Sequence, residues 1–184
     1  MKKLFLLIVF CSFLSAETDW SDANDCELPN HSSFVNEMIS KMSLEQKIGQ
    51  IIMPEINSIT IEQVKKFHLG TILNGGGGFP NKNKNSSIDD WKNLSKEYYD
   101  ASTVVDGVKI PILWGTDAVH GHNNVIGATI FPHNIGLGAA KNQKLMKQIG
   151  AAVAKEVAST GIIWTFAPTI AVPQNDLWGR TYEG

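Results

Sequence analysis

The chain has 184 residues, of which 43% are hydrophobic, and its formal net charge is −2. This length and apolar content are sufficient for a packed core, which excludes a disordered tail. The mildly acidic balance, with lysines scattered along the chain, provides no basic stripe for phosphate backbones. We therefore expect no nucleic-acid partner.

The first 16 residues have the three parts of a secretory signal peptide. Lys2 and Lys3 precede an apolar run from Leu4 to Leu14, and Ser15-Ala16 follows it. The run is about half of the ~20 residues that a spanning helix needs. We predict a signal peptide at 1–16, a polar leader at 17–32, a secreted or periplasmic product and no membrane attachment after cleavage.

Cleavage after Ala16 would remove two lysines, so the net charge would change from 16 − 18 = −2 to 14 − 18 = −4. It would also leave one cysteine, Cys26, because Cys11 belongs to the signal peptide. A single cysteine cannot close an internal disulfide. Cys26 is therefore free or pairs with another chain.

The segment after the leader reads as a series of short helices. Apolar residues recur with helical spacing at positions 34, 35, 38, 39 and 42. Ser43-Leu-Glu-Gln46 and Thr60-Ile-Glu-Gln63 are capping-box sequences, in which the hydroxyl and the amide each satisfy a free backbone N–H. We expect a helix after each of them.

Strand-like and helical patterns alternate over the rest of the chain. The strand-like runs are LGTILN before the glycines, IPILWGT (110–116) and GIIWTFAP (161–168), and we expect the last two to be buried. One helical pattern begins at Ser87 and includes Trp91, and the other runs from Leu145 to Val157 and ends before Gly161. This alternation predicts an α/β fold with a parallel sheet.

A barrel fits this pattern better than a doubly wound nucleotide fold. The possible dinucleotide fingerprints fail, because Gly75-x-Gly77 is followed by Pro80 and Gly136-x-Gly138 by Lys141 where the third glycine belongs. The chain also lacks the GK[ST] sequence of a phosphate loop. A (β/α)8 barrel needs about 250 residues. We therefore predict the N-terminal part of a TIM-type barrel over residues 33–184, incomplete, with about four strands.

Three polar features follow predicted strands, where barrel enzymes place their sites. They are the glycine run Gly75 to Gly78, Asp117 and the loop with Arg180, the only arginine among 16 basic residues. Glycines permit close backbone approach, a carboxylate accepts from neighbouring hydroxyls, and a guanidinium fork fixes acceptor geometry. Together they suit a polyhydroxylated ligand. Trp178 either stacks on a sugar ring or packs in the wall.

Asp117 has three possible roles on the residues alone. It could share a metal ion with His120, His122 and His133, bind a polar ligand without a metal, or only fix a turn. Neighbouring Asn123, Asn124 and Asn134 indicate loop-fixing hydrogen bonds, which favour structural roles for the histidines. Glu183 contacts ligand or pairs with Arg180.

The two longest motifs, GTDAVHGHNNVIGATIFPHNIGLGA (115–139) and FAPTIAVPQNDLWGRTYEG (166–184), resemble the N-terminal barrel domain of glycoside hydrolase family 3. MSLEQKIGQI and LGTILNGGG resemble the opening of the same domain, so the resemblance covers about residues 34–184. It implies retaining hydrolysis of β-linked glucosides or gluco-oligosaccharides in carbohydrate catabolism, without a cofactor or metal. It also implies that Asp117 holds hydroxyls of the terminal glucose and that Arg180 is a second sugar-binding residue. We expect Gly75, Gly76 and Glu183 to belong to the same substrate-binding site.

The resemblance places the catalytic carboxylates beyond Gly184. In the family, the nucleophilic Asp lies in a later Ser-Asp-Trp-like motif, a Lys-His pair also comes later, and the acid/base Glu comes from a following domain in plant-type members. Thr18-Asp19-Trp20 and Asp90-Trp91 only imitate the nucleophile motif. We therefore expect no catalytic residue in this chain and no activity from it alone. The alternatives are a non-catalytic sugar-binding remnant and a metal-dependent barrel hydrolase.

Overall fold

The computed structural model describes residues 31–183. The predicted signal peptide, nearly all of the predicted leader, both cysteines and the Thr18-Asp19-Trp20 sequence lie outside these residues. Gly184 also lies outside them, as do the positions beyond it where we expect the catalytic carboxylates.

Along the described residues, three α-helices are followed by a strand, a fourth helix, three short strands, two further helices and a fifth strand. In this part of the chain, no helix is long and apolar enough to cross a bilayer.

The helices begin where the capping sequences predict. Helices α2 (Leu44–Gln50), α3 (Ile61–Lys66) and α4 (Ile88–Ala101) each begin with a complete capping box. In α4 the third-position residue is Asp90, whose carboxylate accepts from the Ser87 backbone N–H at 2.7 Å. Asp90 is therefore a capping residue, as its helical setting predicts. The other helices are α1 (Ser32–Lys41), α5 (Asn134–Ala139) and α6 (Gln143–Ser159).

The main sheet is parallel, as the βαβ pattern predicts. Strand β4 (Leu113–Thr116) lies between β1 (Thr71–Asn74) and β5 (Trp164–Thr165), and both pairings are parallel. A parallel bridge between Glu55 and Leu73 adds a further segment on the outer side of β1. The described structure thus contains the α/β layer of the prediction, with three strands and this bridge. It does not itself contain a closed barrel.

A small hairpin, which the sequence patterns do not predict, precedes β4. Strands β2 (Val104–Val105) and β3 (Val108–Lys109) pair antiparallel across a tight turn at Asp106 and Gly107. Both turn residues have positive φ, 49° and 78°. Two central residues with positive φ are typical of the turns that connect two-residue hairpins.

Helix α4 and the central strand form the core through aromatic side chains. Trp91 stacks on Trp114 with ring centroids 5.7 Å apart, and Tyr98 meets Trp114 edge-on at 5.2 Å. Trp91 is completely buried, and Ile72 of β1 is buried beside them. Each buried aromatic ring removes a large apolar area from water, so this contact holds α4 against one face of the sheet.

A buried polar network connects the carboxyl ends of β1 and β4 on this helix-covered face. Asn74 has no exposed surface, and its Oδ1 accepts from Trp114 Nε1 at 2.8 Å. Its Nδ2 donates to Thr116 Oγ1 at 3.1 Å, and Asn74 and Thr116 are partners in the strand register. A one-residue shift of register would move these side chains to opposite faces. The network therefore specifies the alignment of the two strands.

Two predictions of full burial were wrong. Leu113 of the IPILWGT strand is 45% exposed, and Ile163 and Trp164 of the GIIWTFAP strand are 68% and 38% exposed. Leu113 points away from Trp114 because successive side chains of a strand alternate, and α4 covers only the Trp114 face. Strand β5 pairs with only one other strand within residues 31–183, so the second edge of its GIIWTFAP segment has no strand beside it.

Helix α6 ends at a buried histidine contact. Gly161 has φ +83°, the left-handed conformation expected of the residue that follows a helix end. The Thr160 hydroxyl donates to Val157 O at 2.6 Å and lies 2.9 Å from His122 Nε2. Because the only hydroxyl proton is used, Nε2 is the donor in this second bond. Burial lowers the pKa of His122 to about 4, so the ring is neutral near pH 7 and carries its proton on Nε2.

We predict that Asn74→Ala lowers the free energy of unfolding of this chain by about 2–4 kcal/mol, because it leaves two buried polar groups without partners and opens a small cavity. Urea titration followed by circular dichroism measures this change. Asn93→Ala, at an exposed position of α4, is the matched control and should change stability little. An equal effect of the two substitutions would contradict the role of the network.

We also predict that His122 makes the chain less stable in acid. As the pH falls from about 6.5 to about 4, the unfolded state takes up a proton that folded His122 does not bind. The free energy of unfolding should then fall by up to about 1.4 kcal/mol per pH unit from this group.

The matched variant is His122→Gln, whose amide can still donate to Thr160 but does not titrate. Urea titrations between pH 4 and pH 7 should show a steeper loss of stability in the wild type than in the variant. Parallel curves would contradict the assignment.

Candidate functional site

The loops after β1, β4 and β5 leave the same edge of the parallel sheet. The register pairs Asn74 with Thr116 and Thr116 with Thr165, so the three strands end side by side. The ladder continues one residue further, where the Phe166 N–H donates to Thr116 O at 2.9 Å. The glycine run, Asp117 and the loop with Arg180 begin at this edge, as the sequence predicts.

The glycine loop after β1 is folded and has an open surface. A side chain at Gly78 would come within 2.6 Å of Glu55 Oε1 and 2.9 Å of Asn74 Cβ, whereas side chains at Gly75, Gly76 or Gly77 would meet nothing within 4 Å. Gly78 is therefore needed for close packing, and the space over the other three is free. Within residues 31–183, the N–H groups of Gly76 and Gly77 form no hydrogen bond and are available to a ligand.

Asp117 is the first residue beyond β4, and its side chain is exposed. Its backbone carbonyl accepts from Thr165 Oγ1 at 3.2 Å, which connects it to β5. The next residue, Ala118, has φ +46°, a conformation that alanine seldom adopts, and it is buried. The chain therefore turns sharply behind Asp117, while the carboxylate stays open to solvent.

Two asparagine side chains tie the loops together, as the sequence analysis predicts. Asn124 Nδ2 donates to Gly75 O at 2.8 Å and to Gly78 O at 3.4 Å, which joins the loop after β4 to the glycine loop. Asn134, the first residue of α5, donates through Nδ2 to Thr169 O and to Glu183 O, each at 3.2 Å, which joins the end of the loop after β4 to the loop after β5. These four bonds fix the relative positions of the three loops.

Arg180 is exposed and paired with Glu183. Its Nε donates to Glu183 Oε1 at 2.8 Å and its Nη2 to Oε2 at 2.5 Å, which is a bidentate pair. These hydrogen bonds raise the pKa of Arg180, and the charge of Asp117 raises it further. The same pair lowers the pKa of Glu183. Arg180 and Asp117 lie on loops that leave the same edge of the sheet, and both residues are exposed.

The three histidines of the metal hypothesis do not converge. His122 is 1% exposed and bonded to Thr160 beneath the loop, whereas His120 bonds the carbonyl oxygen of Phe131 through Nδ1 at 3.1 Å. The His133 ring packs edge-on against His120 with centroids 4.2 Å apart. Among the described residues, no group of three or more His, Cys, Asp and Glu side chains is placed to hold a metal ion.

Trp178 precedes Arg180 by two residues and is 36% exposed. Its backbone N–H donates to Asn175 O at 3.0 Å, and its carbonyl accepts from Thr181 Oγ1 at 2.6 Å. Within the described residues its ring makes no aromatic contact.

Sequence reasoning missed the residues that support the site from beneath. Asn74, Thr116 and Thr165 end the three strands and connect them through side-chain hydrogen bonds. Only one sequence signal pointed to Asn74, a polar residue at the end of an apolar strand immediately before a glycine run. Thr116 and Thr165 were not distinguishable from ordinary strand threonines.

An apolar cavity of about 340 Å³ lies behind the loop after β4, between that loop, α6 and the start of the loop after β5. Ala118, Phe131, Ile149 and Pro168 are among its walls, and neither Asp117 nor Arg180 lines it. The charged groups of the edge therefore lie outside this cavity, although Asn134 and Thr165 are among its walls. Hydroxyl recognition requires hydrogen-bonding groups, so we assign the candidate site to the open polar edge.

Comparisons with known proteins identify the family. Residues 43–184 match the glycosyl hydrolase family 3 N-terminal domain. A lysosomal β-glucosidase of Dictyostelium discoideum is 35% identical over 169 residues, and a periplasmic β-glucosidase of Salmonella typhimurium is 28% identical over 157 residues. These alignments cover 82% and 83% of this chain but 20% and 18% of the relatives.

A solved structure agrees with the sequence comparisons. The exo-1,3/1,4-β-glucanase of a Pseudoalteromonas species is 51% identical, with a TM-score of 0.77 over 85% of this chain and 20% of that chain. The present chain thus spans about a fifth of the length of the relatives that it matches. From the α/β fold, the edge motifs and these matches together, the chain belongs to glycosyl hydrolase family 3, and residues 43–184 correspond to its N-terminal domain.

Proposed function

We propose that this chain forms the sugar-binding edge of a retaining glycoside hydrolase that acts on β-linked glucosides or gluco-oligosaccharides in carbohydrate catabolism. The observation that carries the proposal is the meeting of three tied loops at one edge of the sheet. Asp117 and Arg180 are exposed on two of these loops. The family relatives are two β-glucosidases and an exo-1,3/1,4-β-glucanase by name, which supports the substrate class.

The chemistry of the edge suits a neutral polyhydroxylated ligand. The Asp117 carboxylate can accept hydrogen bonds from two adjacent hydroxyls of a terminal glucose. The Arg180 guanidinium can donate to a third oxygen. The sugar ring can come close to the unbonded backbone N–H groups of Gly76 and Gly77, because no side chain covers these glycines. We include Asp117, Arg180, Gly75 and Gly76 in this binding site, with Glu183 as the partner of Arg180, and assign no metal or cofactor to it.

We propose further that the catalytic carboxyls are not among the described residues and that they follow Gly184, where the family resemblance places them. Retaining hydrolysis uses two carboxyl groups about 5–5.5 Å apart, one to attack and one to protonate. Glu183 is already bonded through both oxygens to Arg180, so it is not available as the second carboxyl beside Asp117. In this proposal the chain is the N-terminal portion of an incomplete (β/α)8 barrel that binds substrate and does not cleave it.

We propose a secreted or periplasmic location on the basis of the N-terminal sequence. A charged start, an apolar run and small residues are the parts of a signal peptide. Two relatives are named as a periplasmic and a lysosomal β-glucosidase, which agrees with a protein that enters an export route.

Asp117→Asn should weaken glucose binding to this chain by about tenfold or more, because hydrogen bonds to a charged acceptor are the stronger ones. Isothermal titration calorimetry with glucose measures the change. Asp106→Asn, in the β2–β3 turn that precedes β4, is the matched control and should bind like the wild type. Unchanged affinity in Asp117→Asn would refute the assignment of Asp117.

The chain by itself should release no p-nitrophenol from p-nitrophenyl β-D-glucoside above the uncatalysed rate, although it binds glucose. The reason is the missing pair of carboxyls, so no substitution at Asp117 or Arg180 should alter this result. An absorbance assay of released p-nitrophenol tests it. Turnover that Asp117→Asn abolishes would contradict the binding-only role of this chain.

A further inference from the structure

We propose that Glu183 is a positioning residue, which holds the Arg180 guanidinium in the orientation that receives the sugar and does not itself bind the sugar. This inference rests on the proposed function of the edge. It differs from the simplest reading of a carboxylate at a sugar site, in which Glu183 would accept directly from hydroxyls.

The geometry of the pair leaves donors on Arg180 and leaves few acceptor positions on Glu183. Arg180 carries five N–H groups, and the two bonds to Glu183 use one on Nε and one on Nη2. Three N–H groups of Arg180 therefore form no bond to Glu183, two on Nη1 and one on Nη2. The side chain of Glu183 is only 14% exposed, whereas that of Arg180 is 68% exposed. A ligand in solvent thus meets the guanidinium before the carboxylate.

Glu183 is itself anchored to the part of the chain that carries Asp117. Its backbone carbonyl accepts from Asn134 Nδ2 at 3.2 Å. The neighbouring Tyr182 ring packs edge-on against His133 at 5.4 Å, and His133 packs against His120, three residues after Asp117. Through these contacts, Glu183 holds the Arg180 guanidinium in place relative to the loop after β4.

The pairing has little value for stability alone. An ion pair in which one partner is largely exposed contributes little to folding, since solvent screens it and two long side chains must be ordered. The same ordering is useful for binding, because a guanidinium that is already fixed loses less freedom when a ligand arrives. A paired guanidinium also attracts anions less strongly than a free one. The arrangement thus favours a neutral ligand such as a sugar.

A double-mutant cycle on the 184-residue chain tests this inference, with glucose as the probe and calorimetry as the measurement. The four proteins are the wild type, Arg180→Ala, Glu183→Gln and the double variant. Glu183→Gln keeps the size of the side chain and removes its charge. We expect both single variants to weaken glucose binding, by about three- to tenfold. The double variant should bind no more weakly than Arg180→Ala, because Glu183 acts only through Arg180.

Each other result has a separate meaning. If Glu183→Gln weakens binding by the same factor with and without Arg180, Glu183 binds the sugar directly and the inference is wrong. If Arg180→Ala weakens binding and Glu183→Gln does not, the positioning role is wrong and the proposed sugar site stands. If Arg180→Ala has no effect, the proposed site itself is wrong. Asp176→Asn, an exposed carboxylate of the same loop, is the matched control and should bind normally.

A second measurement needs no ligand. Arg180 is the only arginine, so the Nε–Hε cross-peak in a proton–nitrogen NMR spectrum belongs to it without ambiguity. We expect a sharp, slowly exchanging peak in the wild type and faster exchange with solvent in Glu183→Gln. An identical peak in the two proteins would overturn the positioning role, even if both fold normally by circular dichroism.

Discussion

The pairing of β1 with β4 is the constraint on which the site depends. These two strands carry the glycine loop and Asp117, and the register that places Asn74 opposite Thr116 sets where each loop begins. Backbone bonds between parallel strands do not by themselves select one register. The buried bonds from Trp114 to Asn74 and from Asn74 to Thr116 do, because a shifted strand would leave polar groups unpaired in an apolar core.

Neutral amides and charged groups have different tasks at this edge. The amides of Asn124 and Asn134 donate to backbone carbonyls of neighbouring loops, so they hold the scaffold without adding charge. The charged groups Asp117 and Arg180 remain at the surface, where a ligand can reach them. Such a division allows the loops to keep their positions when the ligand is absent. A preorganised site loses less entropy on binding than one that must order its loops.

The sequence predicts most of the local structure because its signals are local. Capping boxes at Ser43, Thr60 and Ser87 mark the starts of three helices, and Gly161 marks the end of a fourth. The alternation of strands and helices predicts the parallel sheet, and chain order alone places the three polar loops at one edge. The family resemblance is confirmed by the match to residues 43–184.

The features that the sequence could not predict depend on contacts between residues that are far apart in the chain. The partner of Asn74 lies 42 residues away, and Asn124 and Asn134 each reach carbonyls up to 49 residues away. No periodicity records such pairs. The burial of Leu113 and Ile163 was overestimated for a related reason, since an apolar run shows what a side chain prefers and not what covers it. The sequence left two possible roles for Glu183, contact with ligand or pairing with Arg180. Only the structure shows the pairing.

The most direct test of the account is an NMR map of glucose binding on the isotopically labelled chain. The account predicts that added glucose shifts the backbone signals of Gly76, Gly77 and Asp117 and the side-chain signal of Arg180, and leaves the apolar cavity behind the loop unchanged. Shifts confined to the residues that line that cavity, such as Phe131 and Ile149, would contradict the central claim. In that case the polar edge would not be the sugar site.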